Sequence, residues 1–206
     1  MATCRAAPET IGIAVMAKAP VAGYAKTRLV ALLGAAGAAR LHRQLMLRTL
    51  ATACAAEVGP VALWCAPDAR HRFFRALHRK GGLALHEQAG ADLGERMAGI
   101  FAGHGSHPLL LIGTDCPELS PDHLRQAALA LRSTDAVFIT TEDGGYFLVG
   151  LRRPCPALFT GMRWGTDQVM AQTRHRLVAL GLSWRETARL WDVDRAEDVL
   201  RWQALR

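Results

Sequence analysis

Ile11-Gly-Ile-Ala-Val-Met-Ala17, followed at once by Lys18-Ala-Pro-Val-Ala-Gly23-Tyr-Ala-Lys26-Thr27-Arg28-Leu29, is the stretch on which the fold turns. The apolar run is too short to span a membrane and reads as a first strand; the Pro/Gly loop after it holds three cations and leads into a long helical pattern. A loop between strand and helix can turn backbone N–H groups and the positive end of the helix toward an anion, and Lys26 and Arg28 add full charges. Lys18, Gly23, Lys26 and Arg28 are therefore candidate phosphate-binding positions. The spacing is neither GxxxxGK[ST] nor GxGxxG, which disfavours a P-loop triphosphatase or a Rossmann dehydrogenase. Solvated surface cations would give the same loop, so the decision passes to the rest of the chain.

Outward from that loop, short apolar runs alternate with longer helical patterns, the signature of a mainly parallel sheet flanked by helices. The expected order is a helix from about Gly34 to Glu57, with Leu41, Leu45, Leu50 and Cys54 on one face, then a strand Val61 to Cys65. A helix Asp68 to Lys80 follows, with Phe73, Phe74 and Leu77 inward, then an extended piece Leu83 to His86 and a short helix Asp92 to Phe101. Leu109 to Ile112 is the strongest buried-strand signal and feeds Gly113-Thr114-Asp115-Cys116-Pro117. Ser120-Pro121 predicts an N-cap with proline at the first helical position, opening a helix to about Arg132. Ala136 to Thr140 and Phe147 to Leu151 read as strands joined through Glu142-Asp143-Gly144-Gly145. Gly165-Thr166 opens a helix ending near Gly181. Asp194 with Glu197 resembles a capping box at the start of a last helix carrying Val199, Leu200 and Trp202. Met1 to Thr10 reads as a loose tail, and residues 11–206 as one domain.

Of the 206 residues, 50% are hydrophobic and 21% charged, enough for one substantial core. The net charge of +7 suits anionic small molecules as well as nucleic acid, but the basic residues are dispersed and no RNP-like or finger-like pattern is present, so nucleic acid is disfavoured as a partner. Five cysteines without a CxxC pair indicate neither a disulfide framework nor a zinc site and fit a reducing cytoplasm. No stretch is long and apolar enough to predict a membrane span.

In open α/β sheets ligands collect outside the carboxyl ends of strands, and three loops with unusual content leave strands there. Asp115 would emerge at that edge as a first ligand for a hard cation such as Mg²⁺ or Mn²⁺, or would start a turn ahead of Pro117. Asp143-Gly144 suits a hairpin turn, while Gly144 and Gly145 would also let a backbone approach a bulky ligand. With Asp194 read as a helix cap, Asp192 is left as the second candidate metal ligand. Gln88-Ala-Gly-Ala-Asp92-Leu-Gly94-Glu95-Arg96-Met97 either lines a base or sugar pocket, through Gln88, Gly94 and Arg96, or supplies Asp92 and Glu95 as a capping pair. Cys116 reads as a small buried filler.

Taken together, Lys-x-Pro…Gly-x-x-Lys-Thr-Arg-Leu, Asp-Leu-Gly-Glu-Arg-Met, Gly-Thr-Asp-Cys-Pro, Glu-Asp-Gly-Gly-Tyr-Phe-Leu-Val-Gly-Leu and Asp-Val-Asp-x-x-Glu-Asp resemble one family from Ile11 to Gln203. This is the glycosyltransferase-A-like (GT-A) radical-SAM/selenodomain-associated transferases. The opening motif is also similar to that of 2-phospholactate guanylyltransferase and, more loosely, of molybdenum-cofactor nucleotidyltransferases. The resemblance implies a single-domain three-layer α/β sandwich of the nucleotide-diphospho-sugar transferase type, with Mg²⁺ or Mn²⁺ on Asp115 and phosphate contacts from Lys18, Lys26 and Arg28. Two departures stand out: Ile139-Thr140 occupy the place of a Gly-Pro, and Asp115 is followed by Cys116-Pro117 where glycosyltransferases of this fold carry Asp-x-Asp.

The expected activity is metal-dependent transfer from a nucleotide-activated donor, foremost glycosyl transfer from a nucleotide sugar to a small-molecule acceptor. Asp115 and Asp192 would hold the metal, Asp143 or Glu142 would serve as base and Lys26 would neutralise charge on the leaving group. Nucleotidyl transfer with release of pyrophosphate is the alternative, and a nucleotide-binding partner protein without turnover is a third. A homodimer remains open.

Overall fold

In the computed structural model, residues 10–204 are described, and the tail reading of residues 1–9 lies outside them. One seven-stranded sheet forms the middle layer, in the order β3-β2-β1-β4-β6-β5-β7. The strands are β1 (Gly12–Lys18), β2 (Val61–Ala66), β3 (Ala84–Glu87), β4 (Leu109–Ile112), β5 (Ala136–Thr141), β6 (Tyr146–Leu151) and β7 (Trp184–Leu190). Only β6 runs against the others, pairing antiparallel with both β4 and β5. The helices are α1 (Val30–Ala55), α2 (Arg72–Gly81), α3 (Leu93–Gly103), α4 (Pro121–Leu131), α5 (Val169–Ala179) and α6 (Ala196–Gln203).

Alternation along the strands explains the layers. Ile13, Val15, Leu110, Ile112, Val137 and Ile139 face one side, where α1, α2 and α4 bury Met46, Phe74 and Leu124 against them. Ala14, Leu109, Leu111, Phe138 and Val149 face the other, against Met97 and Ile100 of α3 and Met170 and Leu177 of α5. Central strands covered on both faces lose polar alternation, which is why β4 reads as an unbroken apolar run. A third cluster packs Leu41 and Leu45 of α1 against Trp191, Val193 and Trp202, fastening the segment after β7 beside the start of α1.

Several boundaries differ from the sequence reading. The strand β7 was not expected: Arg185, Glu186 and Arg189 break its apolar pattern because it is an edge strand paired only with β5, with much of its surface in solvent. The helical assignment of α1 begins at Val30, but Gly34 has φ 68° and ψ 162°, a break only glycine takes easily, so the continuous helix starts beyond it. Cys54 is exposed, not inward, whereas Leu41, Leu45 and Leu50 are buried. The helix α2 starts at Arg72, with His71 capping the Phe73 N–H, so Asp68 lies in the preceding turn. The helix α5 starts at Val169, several residues after Gly165. Asp194 is not the cap of α6: Arg195 is, and Asp198 accepts from the Asp194 and Arg195 N–H groups at 2.9 and 2.6 Å. That frees the Asp194 side chain for another partner. Leu200 of that helix is exposed while Val199 and Trp202 are buried. Among the described residues, no helix is long and apolar enough to cross a membrane.

Candidate active site

The loops leaving β1, β3, β4 and β7 and the turn between β5 and β6 meet at one edge of the sheet around a cleft of about 620 Å³, a volume suited to a nucleotide-sized ligand. Its most constrained corner forms around Lys26. This residue has a left-handed backbone, φ 52°, ahead of a short 3-10 turn, Thr27–Leu29, and its side chain is 5% exposed. Its ammonium pairs with Asp115 Oδ2 at 2.8 Å and donates to the Val193 carbonyl at 2.5 Å, while the Val193 N–H donates to the Asp115 carbonyl at 2.9 Å. The loops after β1, β4 and β7 thereby close on one another.

Asp115 follows β4 directly because the strand ends at Ile112 and Gly113-Thr114 turn the chain outward. Its side chain remains 39% exposed. Desolvation in the cleft works to raise its pKa, but the Lys26 charge, His42 and hydrogen bonds from Lys26 and Thr114 outweigh it and hold the carboxyl below its ordinary value. Asp192, on the loop after β7, shows the opposite balance. Desolvation first, then the negative charge of Asp143, with Asp115 and Asp194 adding to it, push it up to about 6 against the pull of Lys26. Arg28 does not neutralise that pair, because its guanidinium is bonded to Asp194.

Asp143 is held by its own turn: Oδ1 accepts from the Thr141 hydroxyl and from the Gly145 N–H at 3.1 Å, which leaves Oδ2 outside these two bonds. Glu142 beside it takes both ends of the Arg201 guanidinium, at 2.9 and 3.3 Å, and Arg201 stacks over Trp191 at 4.3 Å. The helix α6 thus braces the Asp143 turn and the approach to Asp192 together.

Of the residues predicted from sequence, Lys18, Lys26, Arg28, Gln88, Arg96, Asp115, Asp143, Gly145 and Asp192 line this cleft. Three glycines do not. Gly23 sits in an open turn at φ 77°, Gly94 packs beneath Trp164 and the Phe159 carbonyl, and Gly144 faces the Asp167 carbonyl. Each shapes the backbone next to the cleft. Gln88 lines the wall, and its amide NH₂ bonds the Trp64 carbonyl at 2.8 Å. Both readings of the α3 entry hold in part: Asp92 accepts from the Glu95 N–H at 2.8 Å as a cap, and Arg96 still reaches the cleft. Cys116 is 2% exposed, and burial pushes its thiol up to about 12.

The sequence reading missed His42 and the far wall formed by Tyr146, Trp164 and Thr166. His42 is 5% exposed on the inner face of α1. Its Nε2 lies 2.9 Å from the Lys18 carbonyl, and its Nδ1 has no hydrogen-bond partner and stands 3.8 Å from Asp115 Oδ1. Burial lowers its pKa despite the attraction of Asp115. The signal for it was a polar residue next to Leu41 on an otherwise apolar helix face. Among the described residues, no three His, Cys, Asp or Glu side chains enclose a point where an ion could sit. An orphaned imidazole nitrogen beside a carboxylate, with more carboxylates across the cleft, is instead an open arrangement. It suits a cation that keeps water and phosphate oxygens in its shell.

The fold recurs among solved structures. A protein of Desulfovibrio desulfuricans G20, provisionally named a nucleotide-diphospho-sugar transferase, matches with TM-score 0.82 and 28% identity over 91% of this chain and 83% of its own. A nucleotidyl transferase of Methanothermobacter thermautotroptrophicus matches with TM-score 0.63 and 12% identity over 95% and 97%. Glucosyl-3-phosphoglycerate synthase of Mycobacterium tuberculosis, solved with Mn²⁺, uridine diphosphate and glucosyl-3-phosphoglycerate, matches with TM-score 0.57 and 10% identity over 94% and 75%. These likenesses show the nucleotide-diphospho-sugar transferase fold, the GT-A-like architecture expected from the motifs. No curated protein matches the sequence. Residues 49–166, which include Asp115 and Asp143, match the family model "Uncharacterized protein conserved in bacteria (DUF2064)", and with more than half of its residues inside that match the chain belongs to this family.

Proposed function

We propose that the protein is a metal-dependent transferase using a nucleotide-activated donor, foremost a nucleotide sugar whose glycosyl group passes to a small-molecule acceptor. The observation that carries this reading is the charge of the cleft. Asp115, Asp143, Asp192 and Asp194 face it, Lys26 and Arg28 each engage one carboxylate, and desolvation together with the charge of Asp143 pushes Asp192 up to about 6. Lys18 and Arg96 also line the cleft, but beside the carboxylates of Asp143 and Asp192 a nucleotide's phosphates would be repelled unless a divalent cation came with them. The likeness to the Desulfovibrio protein, at 28% identity over 91% of the chain, supports the donor class.

Asp115 and Asp192 would hold Mg²⁺ or Mn²⁺, which when bound supplies Lewis-acid stabilisation of the charge building on phosphate oxygens. Lys18 and Arg28 would contact the phosphates, with Lys26 neutralising the leaving group from its place beside Asp115. Gln88 and Arg96 would border the base or sugar. The acceptor would lie against Tyr146, Trp164 and Thr166. In glycosyl transfer the acceptor hydroxyl oxygen bonds to the anomeric carbon as the bond from that carbon to the diphosphate oxygen breaks. The hydroxyl proton passes to Asp143 Oδ2, the oxygen not engaged by Thr141 and Gly145, and the nucleoside diphosphate leaves.

One observation favours a second reading. The loop after β4 carries a lone Asp115 followed by Cys116-Pro117, without Asp-x-Asp. In nucleotidyl transfer an acceptor phosphate oxygen would bond to the α-phosphorus while the bond to the β-phosphate oxygen breaks, releasing pyrophosphate, and no strong base is needed. The finer kinship to the radical-SAM/selenodomain-associated transferases, the single transferase domain over residues 11–206 and a cytoplasmic place are parts of the same proposal.

Thermal stabilisation by nucleoside triphosphates, diphosphates and nucleotide sugars, each with Mn²⁺, Mg²⁺ or chelator, tests it, because a ligand that binds the native state raises apparent stability by mass action. A cation-dependent shift with one nucleotide sugar, lost in Asp115→Asn while the fold is kept, is the expected result. A shift confined to one triphosphate moves the assignment to nucleotidyl transfer. Equal shifts in chelator, or in Asp115→Asn, overturn the metal site.

A further inference from the structure

We propose that His42 Nδ1 and Asp115 Oδ1 together hold the divalent cation, and that the imidazole biases the site toward Mn²⁺ over Mg²⁺. This rests on the reading of Asp115 as a metal ligand and adds a donor that no motif indicated.

The tautomer follows from hydrogen bonding. A carbonyl oxygen only accepts, so the 2.9 Å contact between His42 Nε2 and the Lys18 carbonyl places the ring proton on Nε2 of the neutral imidazole. The Nδ1 lone pair is then the acceptor end, and it is a buried polar atom without a partner. It stands 3.8 Å from Asp115 Oδ1, another acceptor. Two lone-pair-bearing atoms facing each other at that separation are mutually unfavourable unless something positive lies between them.

Lys26 does not fill that role. Its ammonium engages the other oxygen, Oδ2, at 2.8 Å and leaves Oδ1 turned toward the imidazole, with the Thr114 hydroxyl donating to it at a long 3.3 Å. Adjacent donors on one octahedral cation at about 2.1 Å from each stand about 3 Å apart, so closing the observed 3.8 Å onto a shared ion takes a side-chain movement of less than about 1 Å. The support is also of the kind metal-binding histidines use. Their second ring nitrogen commonly donates to a backbone carbonyl, which fixes the ring and raises the basicity of the ligating nitrogen. The Lys18 carbonyl does this here, tying the proposed site to the first residue of the phosphate-loop candidate. Both ions favour oxygen donors, but Mn²⁺, at the weak end of the first-row transition series, takes an imidazole more readily than Mg²⁺, so a nitrogen in the shell shifts preference toward Mn²⁺.

The test uses Mn²⁺ alone, added to the full chain and followed by electron paramagnetic resonance, with spin-echo modulation reporting nitrogen bonded directly to the ion. The expected result is Mn²⁺ bound with a nitrogen modulation that changes when only histidine is isotopically labelled. In His42→Gln the modulation disappears, Mn²⁺ affinity falls by about tenfold or more, and Mg²⁺ affinity changes far less. Mn²⁺ bound by the unaltered protein without nitrogen modulation overturns the role of His42 and leaves Asp115 standing. No Mn²⁺ bound at all overturns both. The spectrum of the unaltered protein decides between these outcomes even if the buried His42→Gln change costs stability.

Discussion

At the scale of the residue, the two aspartates nearest Lys26 respond to pH in opposite senses. The Asp115 carboxyl sits below its ordinary value, so its contribution to stability is present above the unfolded pKa and fades as pH falls through the folded one. Lys26→Met, which removes the opposing charge, should destabilise the protein by about 1–3 kcal/mol at pH 7. This is less than for a fully enclosed pair because Asp115 is 39% exposed. The loss should close only as pH falls through the folded Asp115 value, below the ordinary carboxylate range; a penalty that persists once Asp115 is protonated would mean that the Lys26 stem, not its charge, matters. Asp192, raised to about 6, costs stability when it ionises, and that cost sets in as pH climbs from the unfolded carboxylate range through the folded value. Asp192→Asn should therefore raise stability by about 1–2 kcal/mol at pH 7.5 in chelator and change little at pH 4. Denaturation midpoints across that range measure it, and an unchanged midpoint at pH 7.5 refutes the crowding of carboxylates.

Individual residues also show where the sequence was legible. Asp115 could be read because Leu109–Ile112 is apolar throughout and the chain turns outward directly after it. His42 could not, because one histidine on an apolar helix face looks the same from sequence whether it is packed or ligating. Only the Lys18 carbonyl, 24 positions away, gives its ring an orientation. Asp194 misled because an acidic residue three positions ahead of Glu197 copies the spacing of a capping box, while the helix begins one residue later and Asp198 takes the bonds.

At the scale of the element, the turn between β5 and β6 is the part most sensitive to backbone change. Gly144 has φ 90°, and a Cβ there would stand 2.2 Å from the Asp167 carbonyl oxygen. Its own carbonyl accepts from the Met170 N–H at 2.9 Å, at the start of α5. Gly144→Ala should cost about 2–4 kcal/mol and impair transfer more than nucleotide binding, since the displaced turn carries Asp143. Comparing kcat with KM alongside the midpoint separates the effects, and a stable, fully active variant would show that the turn is free to move. The strands around this turn could be read from their buried apolar runs, whereas β7 escaped because the pattern of an edge strand is set by solvent as much as by the core.

At the scale of the whole molecule, the charge of +7 is spread over the surface, and in the cleft Lys18, Lys26, Arg28 and Arg96 are interleaved with four aspartates. Polyanion binding needs contiguous cations, so random-sequence RNA should show at most weak binding that vanishes between about 50 and 200 mM salt. Retention at the higher concentration, measured by filter binding, would restore nucleic acid as a partner. The three-layer architecture was legible because alternation of short apolar runs and helical patterns leaves few ways to cover both faces of a parallel sheet. The identity of the ligands was not, because donor and acceptor are chosen by side chains drawn from loops scattered along the chain.

The hydrogen bond from Lys26 to Val193 spans 167 positions of the chain. At ribosomal speeds of roughly 5–20 residues per second, Lys26 emerges some ten to thirty seconds before the carbonyl that fixes it. Through that interval β1, β2, β3 and β4 can already pair, yet Asp115 has only part of its setting and α1 has no Trp191 against which to close. A nascent or interrupted product would thus hold much of the sheet while lacking a finished site. Competence arrives with the final strand and its loop, and chains cut short before them would be folded in part and catalytically silent.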